Sequence, residues 1–217
     1  AAVYREWALG SAPWVPLPLR EQKLSAWFLN THVWVNSHWQ CHDVFNTSGG
    51  SPDMVVSSVS SVADALKQTY LGFHYYEWQQ GPQGGEKNRY KFDTHYPDYF
   101  PARPGAFEAA ASLLSKGVIT VPYINGRIFD VRSDSFIQDN GEQYCTKSTD
   151  AKLVREPDTQ LTGLKVEYEK YGSHAVFCVA QPHTDYWQDK IASTVATLMD
   201  PEGMNAPAVY NDQVAAS

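Results

Sequence analysis

The run Val118-Ile-Thr-Val-Pro-Tyr-Ile124 limits this chain more than any other segment. It is apolar almost throughout, as a strand buried on both faces must be, and such strands belong to parallel sheets covered by helices. Pro122 counts against a central strand unless its missing donor falls at a bulge or a strand end. A parallel sheet also needs helical crossovers, and the chain offers them in turn. Leu24–Val35, rich in aromatic and β-branched residues, predicts strand one, followed by a loop ending in Gly49-Gly50. From Pro52 the apolar positions Val55, Val59, Val62 and Leu66 make a helical stripe, with Ser51 as N-cap and Pro52 at the first helical position. Tyr70–Trp78 predicts strand two, and the polar, Gly/Pro-punctuated segment from Gln79 to Pro104 a long working loop.

Phe107, Ala111 and Leu114 mark a short helix stopped by Gly117 in the left-handed position. Strand three runs from Val118 to Arg127. Residues 128 to 173 read as polar and irregular, with a small strand at His174–Ala180. Thr184 caps a helix with the stripe Trp187, Ile191, Val195 and Leu198, ended by Pro201 and Gly203. Ala208–Val214 predicts strand four. Residues 1 to 23, with Pro13, Pro16 and Pro18, read as an extended lead-in or the tail of something upstream, so the domain is expected over 24–217.

The connections after strands two and three are far longer than those before strands. That asymmetry predicts an α/β fold of the (β/α)8 TIM-barrel type, with about the first four units present, because such barrels build their sites from the loops after the strands. The rival is a doubly wound open sheet. No G-x-G-x-x-G or G-x-x-x-x-G-K-[ST] follows any strand, which removes the usual phosphate-binding grounds for that rival.

Composition narrows the partners. The net charge is -7 among 217 residues, and without a Lys/Arg-rich run this argues against nucleic acid or anionic membrane. No apolar run reaches the roughly 18 residues of a membrane span. The 7 Trp and 13 Tyr suit stacking on sugar rings, although core packing explains aromatics equally well. The three cysteines, Cys41, Cys145 and Cys178, lack metal-type spacing, and an odd count leaves the redox compartment open. Asn46-Thr-Ser is a glycosylation sequon and leans towards a secreted, extracellular protein.

Strand ends converge at a barrel mouth, which places there Asn30 and His32, then His74, Glu77 and Trp78, then Asn125 and Arg127, then Asp212 and Gln213. Glycoside hydrolysis needs two carboxyl groups about the scissile bond. Asp212, in an apolar strand end, suits the ionised one, with Arg127 as the neighbour that keeps it charged. The plainer reading is a structural Asp212–Arg127 ion pair. Glu77 or Asp130 could supply the second carboxyl, the retaining geometry requiring about 5 to 5.5 Å between them. His74, Trp78, Asn125, Arg127, Asp130 and Gln213 are read as substrate contacts, against the alternatives of a core histidine, a packing tryptophan and loop-holding residues; Trp39 is read as a sugar platform against the same packing alternative. His38, His42 and Asp43 do not form a helical metal face, so no metal is expected and no cofactor is implied. Cys178 sits among apolar residues and does not read as a nucleophile.

Three motifs occur in order: Tyr96-Pro-Asp-Tyr-Phe-Pro-Ala-Arg-Pro-Gly105, Pro122-Tyr-Ile-Asn-Gly-Arg-Ile-Phe-Asp130 and Val209-Tyr-Asn-Asp-Gln-Val214. Together they resemble an uncharacterised glycoside-hydrolase-like family of (β/α)8 barrels, a domain of unknown function, from about Leu24 onwards. The resemblance implies that Asp212 occupies the nucleophile position of the alpha-galactosidase and alpha-glucosidase clans. It implies a glycosidase acting on a carbohydrate, with a non-catalytic glycan-binding or structural barrel as the alternative. The chain ends five residues after Asp212, so a further stretch of chain or a partner protein is expected to complete the barrel.

Overall fold

The protein is described by a computed structural model covering residues 6, 7, 10, 23–36, 52–67, 70–76, 78–80, 95–148, 165–171 and 175–213. Four strands, β1 (Val33–Asn36), β2 (Leu71–Tyr75), β3 (Val118–Asn125) and β9 (Tyr210–Asp212), form one sheet in the order β1-β2-β3-β9. Every pairing is parallel. Pro122 lies opposite Tyr75, the last residue of β2, and pairing with β9 begins one residue later at Tyr123. The proline therefore sits at a strand end for one neighbour and ahead of the other, where its missing N–H removes least from the ladder.

Register and the two-residue period of strands divide the side chains between two faces. Leu71, Phe73, Tyr75, Val118 and Ile124 lie on the outer face with the main apolar cluster. That cluster includes Val55, Val59 and Ala63 of α2 (Pro52–Leu66), Ala106, Ala110 and Leu113 of α3 (Ala106–Ser115), and Leu198 of α5 (Asp185–Met199). On the opposite face the register aligns Trp34, Gly72 and Ile119 in one row, Asn36, His74 and Val121 in the next, then Tyr123 with Tyr210, and Asn125 with Asp212.

Local signals account for the helices. Thr184 caps α5 by accepting a hydrogen bond from the Trp187 N–H. Gly117 follows α3 with φ 80°, the left-handed conformation a glycine adopts without cost. The buried faces are turned slightly from the predicted stripes. Ala63 replaces Leu66 on α2, and on α3 Ala106, Ala109, Ala110 and Leu113 are buried while Ala111 is exposed. Small residues let α3 lie close to β3 and to α2.

Strand one needs correction. Ala26–Asn30 forms a short helix, α1, and β1 starts only at Val33. The hydroxyl of Thr31 donates to the Trp27 carbonyl at 2.7 Å and closes that turn, so β-structure begins where β-branched residues resume. Asn30 and His32 consequently precede the strand, and Asn36 takes its C-terminal end. Gly49, Gly50 and Ser51 lie outside the described residues.

The segment read as irregular after β3 contains a second unit. β4 (Ile128–Asp130), β7 (Tyr168–Tyr171) and β8 (Ala175–Val179) form an antiparallel sheet in the order β4-β8-β7. Beside it lie α4 (Asp134–Gln138) and a small pair, β5 (Lys147–Ser148) and β6 (Lys165–Val166). Cys145 is disulfide-bonded to Cys178 with Cα atoms 5.8 Å apart. Phe129, Phe136, Val166, Tyr168 and Trp187 surround the disulfide as a separate cluster.

A Cβ at position 72 would fall within the indole of Trp34, which lies across β2. Gly72→Ala must push that ring away. The half-exposed indole can swing outwards, so the cost falls near the low end for overpacking, about 1 kcal/mol, and Tm is expected to drop by about 2–4 °C. An unchanged melting curve would show that the indole does not rest on β2.

Candidate active site

The C-terminal ends of the parallel strands bring Asp212 and Asn125 side by side across β3 and β9. The Tyr123 hydroxyl donates to Asp212 Oδ2 at 3.0 Å. Asn125 Nδ2 donates to the Tyr123 oxygen at 3.0 Å and lies 3.4 Å from Gln213 Oε1. Asn125 Oδ1 accepts from the backbone N–H groups of Arg127, at 2.9 Å, and Ile128, at 3.1 Å. Among the described residues no donor reaches Asp212 Oδ1, and the carboxylate is half-buried. Gly126 N–H donates to the Asp212 carbonyl at 2.9 Å, which ties the end of β9 to the turn after β3.

His74 shares this face. Its ring lies 4.3 Å from both Tyr76 and Tyr210, and its buried Nε2 has no hydrogen-bond partner. Desolvation pushes the imidazole pKa down to about 4, partly opposed by the charge of Asp212. The ring is therefore neutral at pH 7 and can both donate and accept hydrogen bonds. Alongside it opens a cavity of about 460 Å³ lined by Trp27, Phe28, Trp34, Val35, Asn36, His74, Val121, Ala208, Val209 and Tyr210. That volume lies within the range of small-ligand sites. Asp212 stands beyond its Tyr210 edge and is not part of the lining.

The His74 environment has a stability consequence. Between its ordinary value of 6.5 and the folded value near 4, the unfolded chain binds more protons than the folded one. The His74 contribution is thus level above pH 6.5 and is lost as pH falls towards 4. A His74→Phe variant is expected to lose less Tm than the parent over that interval, and parallel curves would contradict the burial effect.

Other predicted residues are placed differently. Arg127 makes a bidentate pair with Glu169 of β7, Nη1 to Oε2 at 2.7 Å, so the carboxylate it pairs with is Glu169 and not the expected Asp212. The pair links the inserted sheet to the end of β3. Trp78, read as a sugar contact, is fully buried: its indole donates to the Tyr123 carbonyl at 2.8 Å and stacks on Tyr99. Asp130 is likewise fully buried. It accepts from the N–H of His95 at 2.7 Å and of Arg132 at 2.9 Å, and pairs with the Arg132 guanidinium at 3.0 Å. This carboxylate, read as a substrate contact, holds the loop after β2 against β4. Asn125 is 1% exposed with both ends of its amide engaged by neighbouring groups. Gln213 stands at φ 59° beside Asn125.

Glu77, Trp39, His38, His42, Asp43, Cys41 and Asn46 lie outside the described residues. Sequence reading passed over Tyr123, Tyr210 and Asn36. The first two precede Asn125 and Asp212 by two positions, and the strand period alone puts them on the same face.

A profile of the family described as "Domain of unknown function (DUF6259)" matches residues 1–217. The chain belongs to the DUF6259 family. This DUF6259 domain is 39% identical over 221 residues to the Monosiga brevicollis protein named "Putative glycoside hydrolase 22789", covering 100% of this chain and 18% of that protein. It is 24% identical over 203 residues to a "Putative glycoside hydrolase" of Bacteroides thetaiotaomicron, covering 93% of this chain and 25% of the relative. The domain thus spans a quarter or less of either relative's length. Among solved structures it is similar to the alpha-N-acetylgalactosaminidase NagBb of Bifidobacterium bifidum, with TM-score 0.56, 12% identity, and 87% and 28% of the two chains covered. It is also similar to the trehalulose synthase MutB, with TM-score 0.56, 12% identity, and 88% and 36% covered. At such identities the likeness is one of fold. The parallel sheet and its helices share the TIM-barrel type of fold with these two structures. Among the described residues, no helix is long and apolar enough to cross a membrane, and no group of three or more His, Cys, Asp or Glu is placed to hold a metal ion.

Proposed function

We propose that the chain supplies the first four β/α units of a (β/α)8 barrel in a retaining glycoside hydrolase, with Asp212 as nucleophile. The observation that carries this reading is the state of that carboxylate. It ends a parallel strand, with Oδ2 held by Tyr123 and Oδ1 without a donor among the described residues. A retaining nucleophile needs this division, because one oxygen attacks the anomeric carbon while the other is held to direct the approach. The open cavity beside it suits a sugar: Tyr210 and Trp34 offer aromatic faces, and the neutral imidazole of His74 can bond a hydroxyl.

The general acid is assigned to Glu77 or to strands beyond β9, since Asp130 is committed to Arg132. Further strands would cover the half-exposed Trp34 and Tyr210 on the open face. The Cys145–Cys178 disulfide supports an oxidising compartment, and with the Asn46 sequon we read the protein as secreted and glycosylated.

Trapping tests the reading. Full-length protein incubated with a panel of 2-deoxy-2-fluoroglycosyl fluorides is expected to gain one glycosyl unit on the peptide containing Asp212. An adduct on any other carboxylate would remove Asp212 from the role. Sugar binding without any adduct or turnover would favour a non-catalytic glycan-binding barrel.

A further inference from the structure

We propose that Asn125 and Tyr123 are positioning residues that act as a one-way hydrogen-bond relay, fixing a proton donor on Asp212 Oδ2 so that Oδ1 alone is presented to a substrate. The proposal rests on the assignment of Asp212 as nucleophile. Its direction comes from the bonding of one buried amide. Asn125 Oδ1 accepts from two backbone donors, Arg127 N–H and Ile128 N–H, so the amide cannot turn over without opposing its NH₂ group to both. Nδ2 must therefore face Tyr123 and Gln213. The Tyr123 oxygen accepts from Nδ2, and its own proton is directed along the 3.0 Å line to Asp212. Tyr123 and Asn125 are 4% and 1% exposed, so the bond between them is shielded from water.

The backbone of Asn125 is held as firmly as its side chain. The Tyr99 hydroxyl accepts from Asn125 N–H at 2.6 Å and donates to Asn125 C=O at 3.1 Å. The loop after β2 thus clamps the residue that orients the relay. The Trp187 indole adds a bond to the Gly126 carbonyl at 2.7 Å on the next residue.

Asn125→Asp isolates the effect. One carboxylate oxygen can still accept from Arg127 and Ile128, so the turn is preserved, but the atom facing Tyr123 changes from donor to acceptor. The phenol then turns towards position 125 and Asp212 loses its donor. Tyr123→Phe removes the same donor while leaving position 125 unchanged. In full-length protein, the acid limb of kcat/KM for 4-nitrophenyl glycosides is expected to move to higher pH in both variants. Activity at the parent's optimum should fall about tenfold or more, the loss of one charge-assisted bond.

A readout free of turnover accompanies this. Carbodiimide with an amine labels protonated carboxyl groups, and the extent of labelling on the Asp212 peptide is followed by mass spectrometry against pH. Both variants should label Asp212 at higher pH than the parent does. If the labelling midpoint and the acid limb stay in place in both variants, the relay is overturned even where activity falls, since a purely structural role would lower activity without moving either. If Asp212→Asn retains full turnover, the nucleophile assignment fails, and the labelling still decides whether the relay exists.

Discussion

Asp212→Asn in the full-length protein is expected to lower glycoside turnover by about 10⁴-fold or more, roughly 5 kcal/mol of transition-state stabilisation at 1.36 kcal/mol per decade. The amide is close in size to the carboxylate and can remain beside Tyr123, so the fold and the cavity should survive. Only the capacity to form a glycosyl-enzyme bond is removed. Calorimetry with the leaving sugar should therefore give binding within a few-fold of the parent. Retained turnover would exclude Asp212 as nucleophile, whereas lost binding together with lost turnover would show that the carboxylate holds the site's shape.

The second large effect is on stability. Cys145 and Cys178 are separated by 33 positions, and closing a loop of that size stabilises a folded chain by roughly 3–4 kcal/mol. Against the 5–15 kcal/mol typical of a domain, that is a substantial share. The Cys145→Ala/Cys178→Ala double variant is expected to shift the denaturant midpoint accordingly. The inserted sheet should loosen first, because its strands are short and its cluster is separate from the main core. A single cooperative transition at the parent's midpoint would show that the cross-link contributes little. Backbone protection at Glu169 is a finer probe, since this residue carries the inserted sheet's ion pair to Arg127.

The parts legible in the sequence were those governed by local rules. β3 showed itself through continuous apolarity, α5 through the Thr184 cap, and the end of α3 through Gly117. The parallel order followed from alternation of element types. Ala26–Asn30 misled because Trp27, Phe28 and Leu29 have strand-like composition, while a single hydroxyl, that of Thr31, settles the turn. The full burial of Trp78 was not legible, because composition does not tell which side of a strand end an aromatic takes. The partner of Arg127 was not legible at all: Glu169 lies 42 positions away in a polar stretch, and antiparallel strands with one wet face carry no long apolar run. Tyr123 and Tyr210 were within reach, since counting back two residues from Asn125 and Asp212 finds both.

The inserted sheet leaves the parallel sheet immediately after Gly126 and the chain returns at Thr184; the insertion has its own covalent tie and an apolar cluster shared with Trp187 of α5. Such a unit behaves as a graft. Its outer surface can accumulate substitutions without disturbing the helices behind the parallel sheet, provided that Trp187 and the Arg127–Glu169 pair keep the junction in place. Substitution there leaves Tyr123, Asn125 and Asp212 unaltered on the parent sheet. Exchanging residues 128–180 between relatives is therefore expected to leave the cavity on the parallel sheet as it is, since its lining comes from outside that segment.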